Sequence, residues 1–377
     1  MLDLKFIRQH PELVRAGAKK KRITCDIDRI LVLDGEMRAL GGEIDGLRAS
    51  QKQAGKSVAD ARPEDRGRLL EEQRGLKQRL KTLEDEQASR KAELEGLMLR
   101  VPNIPAAEVP EGKDDSENVE LERWGEPRRF DFDVRSHIEI GEAQGWLDIE
   151  RGARLSGSRN YVLKGDLSLL EGAVMRFALE LMVRKGFVPL SVPTLVRPEA
   201  MVGTGYFPGG EEQAYRTDGR DELCLVGTAE VPVTALHMDE ILPLEELPML
   251  FVAQSPCYRR EAGTYGKDTK GLYRVHQFQK VEQVVIDVAD AEQSLAHHRA
   301  ILRNSAELLE AFELPYRVVN VCGGDLGQPQ IQKFDIETWM PSRQGYGETH
   351  SASRFHDFQA RRLNLRYRDR DGKVQFC

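Results

Sequence analysis

Between residues 27 and 47 the apolar positions fall at Ile30, Leu33, Met37, Leu40, Ile44 and Leu47. From Leu33 onward they recur at intervals of four and three, the heptad stripe of a helix that packs along one seam. A second stripe runs through Leu69, Gln73, Leu76, Leu80, Leu83, Gln87, Arg90, Leu94 and Leu97 at the same spacing. Either stripe is too narrow to build a core alone, but two laid antiparallel bury each other. The pattern therefore predicts a long helical hairpin, an arm projecting from a separate body. Residues 51–64, with Gly55, Ser57 and Pro63, read as the turn at its tip, and Pro63 suits the start of the returning helix. The polar seam positions Gln73, Gln87 and Arg90 weaken the packing and can fix register. Gly41, Gly42 and Gly46 lower helix propensity, so the arm is expected to be compliant.

The helical pattern stops at Val101-Pro102-Asn103-Ile104-Pro105, followed by Pro110 and Gly112, where proline removes donors and fixes φ. This divides the chain into a helical arm domain, 1–110, and a body, 111–377. Residues 114–124 read as an acidic linker with a strand-like end. In the body, 167–185 predicts a helix closed by Gly186, and 290–312 a surface helix. Strands are expected at 187–192, 223–226, 251–254, 317–321 and 333–339, with a strand pair within 272–288. Long charged connections between strands point to an antiparallel sheet flanked by helices, an α+β fold rather than a parallel nucleotide-binding sheet.

Composition changes this picture little. The 377 residues are 40% hydrophobic and 31% charged, a globular balance. The start of the chain has neither a basic leader nor an apolar run, and no stretch is long enough to span a membrane. Cys25, Cys224, Cys257, Cys322 and Cys377 form neither a CxxC pair nor a disulfide framework, which suits a reducing, cytoplasmic setting. The net charge of -7 is unevenly spread: residues 1–100 hold 22 Lys/Arg against 18 Asp/Glu. Local positive charge matters more than the total for a polyanionic partner. The run Lys19-Lys20-Lys21-Arg22 reads either as a solvated turn or as a phosphate contact. Before the body is considered, a dimerising coiled coil or a plain spacer is the lesser alternative for the arm.

GxGxxG, GxxxxGK[ST] and HExxH are all absent, which removes the common phosphate-loop and zinc readings. Three segments carry the candidate chemistry. In Gly227-Thr228-Ala229-Glu230, Thr228 and Glu230 can together hold an ammonium group. In the stretch from Cys257 to Glu282, read as strand, mobile loop (264–271) and strand, Arg259 can clamp a phosphate or carboxylate. There Phe278 can stack on a planar base, Glu261 can accept from an exocyclic amine, and Glu282 can bind a hydroxyl or ammonium. In Tyr346-Gly347-Glu348-Thr349-His350-Ser351, Glu348 and Ser351 can share a divalent cation that bridges phosphates. Taken singly each has a bland alternative, such as an ordinary cross-strand ion pair for Arg259 or Glu261. Together they meet the needs of amino-acid activation by ATP, where a carboxylate attacks an α-phosphate in line and catalysis is mostly positioning and charge neutralisation.

These segments resemble those of bacterial and mitochondrial-type seryl-tRNA synthetases, class II enzymes. The resemblance covers essentially the whole chain and is most specific at Thr228-Ala229-Glu230-Val231-Pro232 and at Cys257 to Glu282 with His276-Gln277-Phe278. It extends through Lys333-Phe334-Asp335-Ile336-Glu337-Thr338-Trp339-Met340-Pro341 and Asp357-Phe358-Gln359-Ala360-Arg361-Arg362. It implies a homodimer built on the helix and strand that end at Pro193, and two-step chemistry with ATP and Mg2+. Serine is activated to seryl-adenylate, then transferred to serine tRNA, with selenocysteine tRNA as a further acceptor. By the resemblance, Thr228 and Glu230 hold the serine ammonium, and Arg259 binds its carboxylate and the α-phosphate. Glu261 and Phe278 hold adenine, Glu282 reads the serine hydroxyl, and Glu348 with Ser351 binds magnesium. The arm then docks on the long variable arm of serine tRNA.

The sequence departs from the family pattern at two places. Arg354-Phe355-His356 stands where small residues usually precede the aspartate, which places bulk near the expected serine site. The third class motif, with its glycine-rich strand, helix and arginine, is not found before Cys377. The catalytic domain is therefore expected to be incomplete at its C-terminal side and this polypeptide to adenylate poorly. The alternative function is an impaired paralogue that binds RNA or another partner.

Overall fold

The computed structural model describes residues 1–263 and 271–377. Two compact units appear: one of Leu2–Lys19 and Ile23–Pro102, the other of Met1, Lys20–Arg22 and Asn103–Cys377. Among the described residues no helix is long and apolar enough to cross a membrane.

The first unit is dominated by α1 (Ile27–Ala59, 33 residues) and α2 (Pro63–Met98, 36 residues), packed antiparallel as the two heptad stripes require. At 1.5 Å per residue they are about 50 and 54 Å long. Asp26 caps α1 by accepting from the Arg29 amide, and Pro63 opens α2 where a missing N–H costs nothing. The reversal is tighter than the sequence suggests, because Gly55 and Ser57 continue α1 and only residues 60–62 turn. The Ser57 hydroxyl donates back to the Gln53 carbonyl at 3.2 Å, which satisfies it within the helix.

The polar seam positions have specific partners. The Gln87 amide sits over Gly41 and the Gln73 amide over Gly55; a Cβ at either glycine would lie 3.9 or 3.6 Å from the amide nitrogen. Arg90 pairs across the seam with Glu36 at 3.1 Å. Glutamines on α2 are thus matched by glycines on α1, a large side chain opposite none. Buried apolar residues of the seam are Ile30, Leu33, Ile44, Leu80, Leu94 and Met98. Between Ile44 and Leu80, which includes the tip, no residue is fully buried. At about 1.5–3 kcal/mol per buried large side chain, stabilisation is concentrated in the half of the hairpin away from the tip.

In the second unit the elements in chain order are β1 (Val119–Trp124), α3 (Asp166–Arg184), β2 (Val188–Leu190), α4 (Pro198–Thr204) and β3 (Ile241–Pro243). They continue with β4 (Met249–Tyr258), β5 (Gln277–Ile286), α5 (Ala291–Ala311), β6 (Tyr316–Asn320) and β7 (Gln332–Met340). The last are β8 (Gly345–Arg354), α6 (Phe358–Leu363), β9 (Arg366–Arg368) and β10 (Val374–Phe376). One antiparallel sheet has the order β1-β6-β7-β8. A second has the order β5-β4-β2, and a third β10-β9-β3. The expected antiparallel character holds for the four-stranded sheet, but β2 runs parallel to β4 and β3 parallel to β9. Residues 272–288 supply one strand rather than two; its partner is the earlier β4. β1, read as the end of a linker, is an edge strand with all six residues exposed, so hydrogen bonding to β6 and not burial defines it.

Lys21 lies within this second unit and is buried. Its ammonium donates to the carbonyls of Gly327 at 3.0 Å, Gln328 at 2.9 Å and Gln330. Lys20 donates to the Val109 carbonyl at 2.6 Å. Two of the four residues of the basic run are therefore internal staples, and only Lys19 and Arg22 are exposed.

Gly46→Ala tests the compliance of the arm. No atom lies within 4 Å of the Cβ it would add, so helix propensity alone decides the outcome. We expect about 0.5–1 kcal/mol of added local stability, read as slower amide exchange in residues 40–60 of the intact protein; unchanged or faster exchange contradicts this.

Candidate active site

A cleft of about 980 Å³ opens between β5 and β8 and is lined by Glu230, Arg259, Glu261, Phe278, Lys280, Glu282, Glu348 and Ser351, among others. Each of these strands is the outer strand of its own sheet, so two unpaired strand edges face this space.

The floor rests on the β4–β5 ladder. Its register places Phe278 opposite Cys257 and Glu282 opposite Ala253. Phe278, Lys280 and Glu282 are two apart and so share one face of the strand. The Arg259 guanidinium lies 5.2 Å from the centre of the Phe278 ring, while its backbone N–H donates to His276 just beyond the strand. Among the described residues no carboxylate pairs with Arg259. Glu261 is committed to Arg274 at 2.9 Å. The loop expected to be mobile, 264–271, lies outside the described residues except for Gly271.

Beside this floor the first candidate segment supplies Thr228 and Glu230. The Thr228 hydroxyl, fully buried, donates to Glu282 Oε2 at 2.5 Å and accepts from the Glu230 backbone N–H at 3.2 Å. Lys280 approaches the same Glu282 oxygen at 3.0 Å. Glu282 Oε1 has no hydrogen-bond partner among the described residues and remains available as an acceptor. Glu230 is held at both oxygens: Gln359 Nε2 donates to Oε1 at 2.7 Å and the Tyr206 hydroxyl to Oε2 at 3.1 Å. Burial, followed by the charge of Glu282, raises the Glu230 carboxyl above the ordinary carboxylate range; the donors Gln359 and Tyr206 and the Lys280 charge oppose that rise. Burial drives Tyr206 well above the usual phenol value, with Glu230 adding to it, so it remains a donor. Tyr206, Lys280 and Gln359 were not among the sequence candidates. Gln359 lies in a segment that carried the resemblance, but nothing in its local pattern marks a buried amide.

The third segment is shaped by a bulge. Glu337 faces Glu348 and Ile336 faces His350, leaving Thr349 as the extra residue. Counting by twos along a regular strand puts Glu348 and Ser351 on opposite faces. With the bulge, they oppose Glu337 and Asp335, which share a face, so both point the same way. Lys333 and Asp335 pair at 2.9 Å beneath them. Burial raises the Asp335 carboxyl, with the neighbouring Glu348 charge adding and Lys333 opposing. Burial works against the Lys333 ammonium, yet Asp335 and Glu348 hold its pKa above the usual lysine value.

Arg354, Phe355 and His356, the bulk expected near the serine site, all line the cleft. Arg354 is buried and its guanidinium donates to Glu108 at 3.0 Å, not to Thr228, Glu230 or Glu282. His356 is exposed.

An arginine over an aromatic ring, at the end of an antiparallel strand pair and beside two partly buried carboxylates, is the arrangement that the resemblance to class II aminoacyl-tRNA synthetases implies. The tRNA synthetase class II core domain (G, H, P, S and T) matches residues 214–377, and the seryl-tRNA synthetase N-terminal domain matches residues 1–105. The chain is 48% identical over 377 residues to the serine–tRNA ligase of Deinococcus radiodurans, covering 100% of this chain and 88% of that protein. Its fold superimposes on seryl-tRNA synthetase from Pyrococcus horikoshii complexed with ATP, with a TM-score of 0.91, 38% identity and coverage of 100% and 89% of the two chains. The cytoplasmic serine-tRNA ligase of Naegleria fowleri in complex with AMP gives a TM-score of 0.87 at 28% identity, with coverage of 100% and 88%. The chain belongs to the seryl-tRNA synthetase family.

Proposed function

We infer that this cleft activates L-serine with ATP and that the chain transfers the seryl group to serine tRNA. The observation that carries the reading is an uncommitted Arg259 guanidinium in the same cleft as the partly buried, hydrogen-bonded group of Glu230, Thr228 and Glu282. The ATP and AMP in the two related structures support the nucleotide half of it.

The residues divide the work by charge. Glu230 takes the substrate ammonium, which restores balance to two neighbouring carboxylates. Glu282 Oε1 accepts from the serine hydroxyl; an alanine would leave that buried acceptor unpaired, so the hydroxyl is read by what its absence costs. Arg259 gathers the substrate carboxylate and the α-phosphate, two anions that repel each other in water. A carboxylate oxygen attacks the α-phosphorus, the bond to the bridging oxygen breaks, and pyrophosphate leaves. Phe278 offers its ring, and Glu261 an acceptor, to adenine. In the second step a terminal ribose hydroxyl of the tRNA attacks the seryl carbonyl and AMP departs.

Glu348 and Ser351, one carboxylate and one hydroxyl on a shared face, would hold a magnesium ion. Such an ion, when bound, neutralises charge on the polyphosphate. The exposed apolar side chains Leu155 (79%), Leu169 (73%) and Leu170 (57%) on and near α3 support a homodimer. The helical hairpin is read as the element that docks on the long variable arm of serine tRNA, and of selenocysteine tRNA in the same way.

Exchange of labelled pyrophosphate into ATP tests the first step, with selectivity as the readout. Serine should drive exchange and alanine or threonine should not; equal exchange with any of the three overturns the reading. Arg259→Ala should abolish the serine-driven signal. Replacing residues 27–98 by a short glycine-serine linker should weaken binding of serine and selenocysteine tRNA at least tenfold while serine affinity stays put; unchanged tRNA affinity removes the arm from recognition. Light scattering of Leu169→Glu/Leu170→Glu should report a monomer where the parent chain is a dimer, and a dimeric variant contradicts that interface.

A further inference from the structure

Glu230 can hold an ammonium only while its carboxylate is ionised and correctly aimed, and the two side chains that donate to it lie outside the strand ladder. The Gln359 side-chain amide has two hydrogens and uses both: one bonds Glu230 Oε1 at 2.7 Å, the other the Thr204 carbonyl at 3.0 Å. Both partners are acceptors, so the amide nitrogen must face them. A glutamate at this position would set carboxylate against carboxylate, and an asparagine is a methylene too short to reach both. Gln359 itself is fixed by its helix. Phe358 and Leu363 are fully buried. Leu363 fills the space over Gly203, where a Cβ would lie 2.2 Å from Leu363 Cδ2. Arg362 Nη1 donates to the carbonyls of Val202 at 3.0 Å and Phe207 at 3.1 Å. The two short helices α4 and α6 thus form one locked block from which Gln359 reaches Glu230.

We propose that Gln359 is a positioning residue for recognition of the substrate amino group, acting through Glu230 with Tyr206 as the second support. This rests on the assignment of Glu230 to the ammonium. The amide donates to the charged form of the carboxylate, so it both aims Glu230 and favours its ionisation, against the neighbouring Glu282. A merely structural glutamine would affect every ligand of the cleft alike; a positioning residue affects only those with an amino group.

Two non-hydrolysable probes separate these cases: the sulfamoyl analogue of seryl-adenylate, and its counterpart with the amino group replaced by hydrogen. Calorimetric titration of the intact chain with each gives the comparison. Gln359→Met should weaken the amino-bearing probe about 10- to 100-fold, the range for losing a hydrogen bond to a charged group, and leave the other probe within about twofold. Because a donor to the ionised carboxylate is lost, the acid limb of binding to the amino-bearing probe should move to higher pH. Equal weakening of both probes, or no weakening of either, overturns the proposal. Glu230→Gln is run alongside. If it loses no preference for the amino group, the Glu230 assignment fails; if it loses that preference and Gln359→Met does not, only the role of Gln359 fails. Should Gln359→Met not fold, Tyr206→Phe removes one hydroxyl and carries the same prediction with a smaller loss.

Discussion

Two partly buried carboxylates, Glu230 and Glu282, lie near each other in the cleft, and much of the site answers to that fact. Each would drive the other toward protonation in a poorly solvated setting. The protein opposes this with Lys280 and the Thr228 hydroxyl at Glu282, and with Tyr206 and the Gln359 amide at Glu230. One positive charge and three neutral donors leave the pair short of neutrality, and an incoming ammonium completes the balance. Substrate binding and relief of charge repulsion are then the same event. Arg259 stands apart with its charge uncommitted, which keeps the anion-binding end of the cleft separate from the cation-binding end.

The parts legible in the sequence were those fixed by periodicity or by side-chain chemistry within a short span. The two heptad stripes gave the hairpin, and the residue types at Thr228, Glu230, Arg259, Phe278 and Glu282 gave a set that the fold brings to one cleft. What escaped was decided by partners distant in sequence. Gln359 is 129 residues from Glu230 and Lys21 is 306 from Gly327, so neither local pattern carries a trace of the contact. The basic run around Lys21 illustrates the problem: a lysine that staples three carbonyls and a lysine that meets a phosphate are identical in a sequence. β1 was legible only as the strand-like end of a linker for the opposite reason, since an exposed edge strand buries nothing and leaves no alternation to read.

Glycine served different ends in the two units. In the arm, Gly41 and Gly55 face glutamine amides, but a Cβ at either would make only ordinary contact with them, so space does not demand glycine there. In the body, Gly203 allows Leu363 to press a helix close enough for its glutamine to reach the site. Packing requires glycine only at Gly203, and none of the three has a left-handed backbone. Propensity alone misjudges such positions because it counts what the helix loses and not what the neighbour gains.

The bulge at Thr349 carries an implication for how this strand can diverge. Because it reconciles an odd spacing with a shared face, the number of residues between Glu348 and Ser351 matters more than which residues they are. Substitutions along β8 alter chemistry at one position. Gaining or losing a single residue there would reverse the facing of everything beyond it, as a shifted reading frame changes every later codon. Related chains that keep this site should therefore vary within β8 by replacement and align across it without gaps.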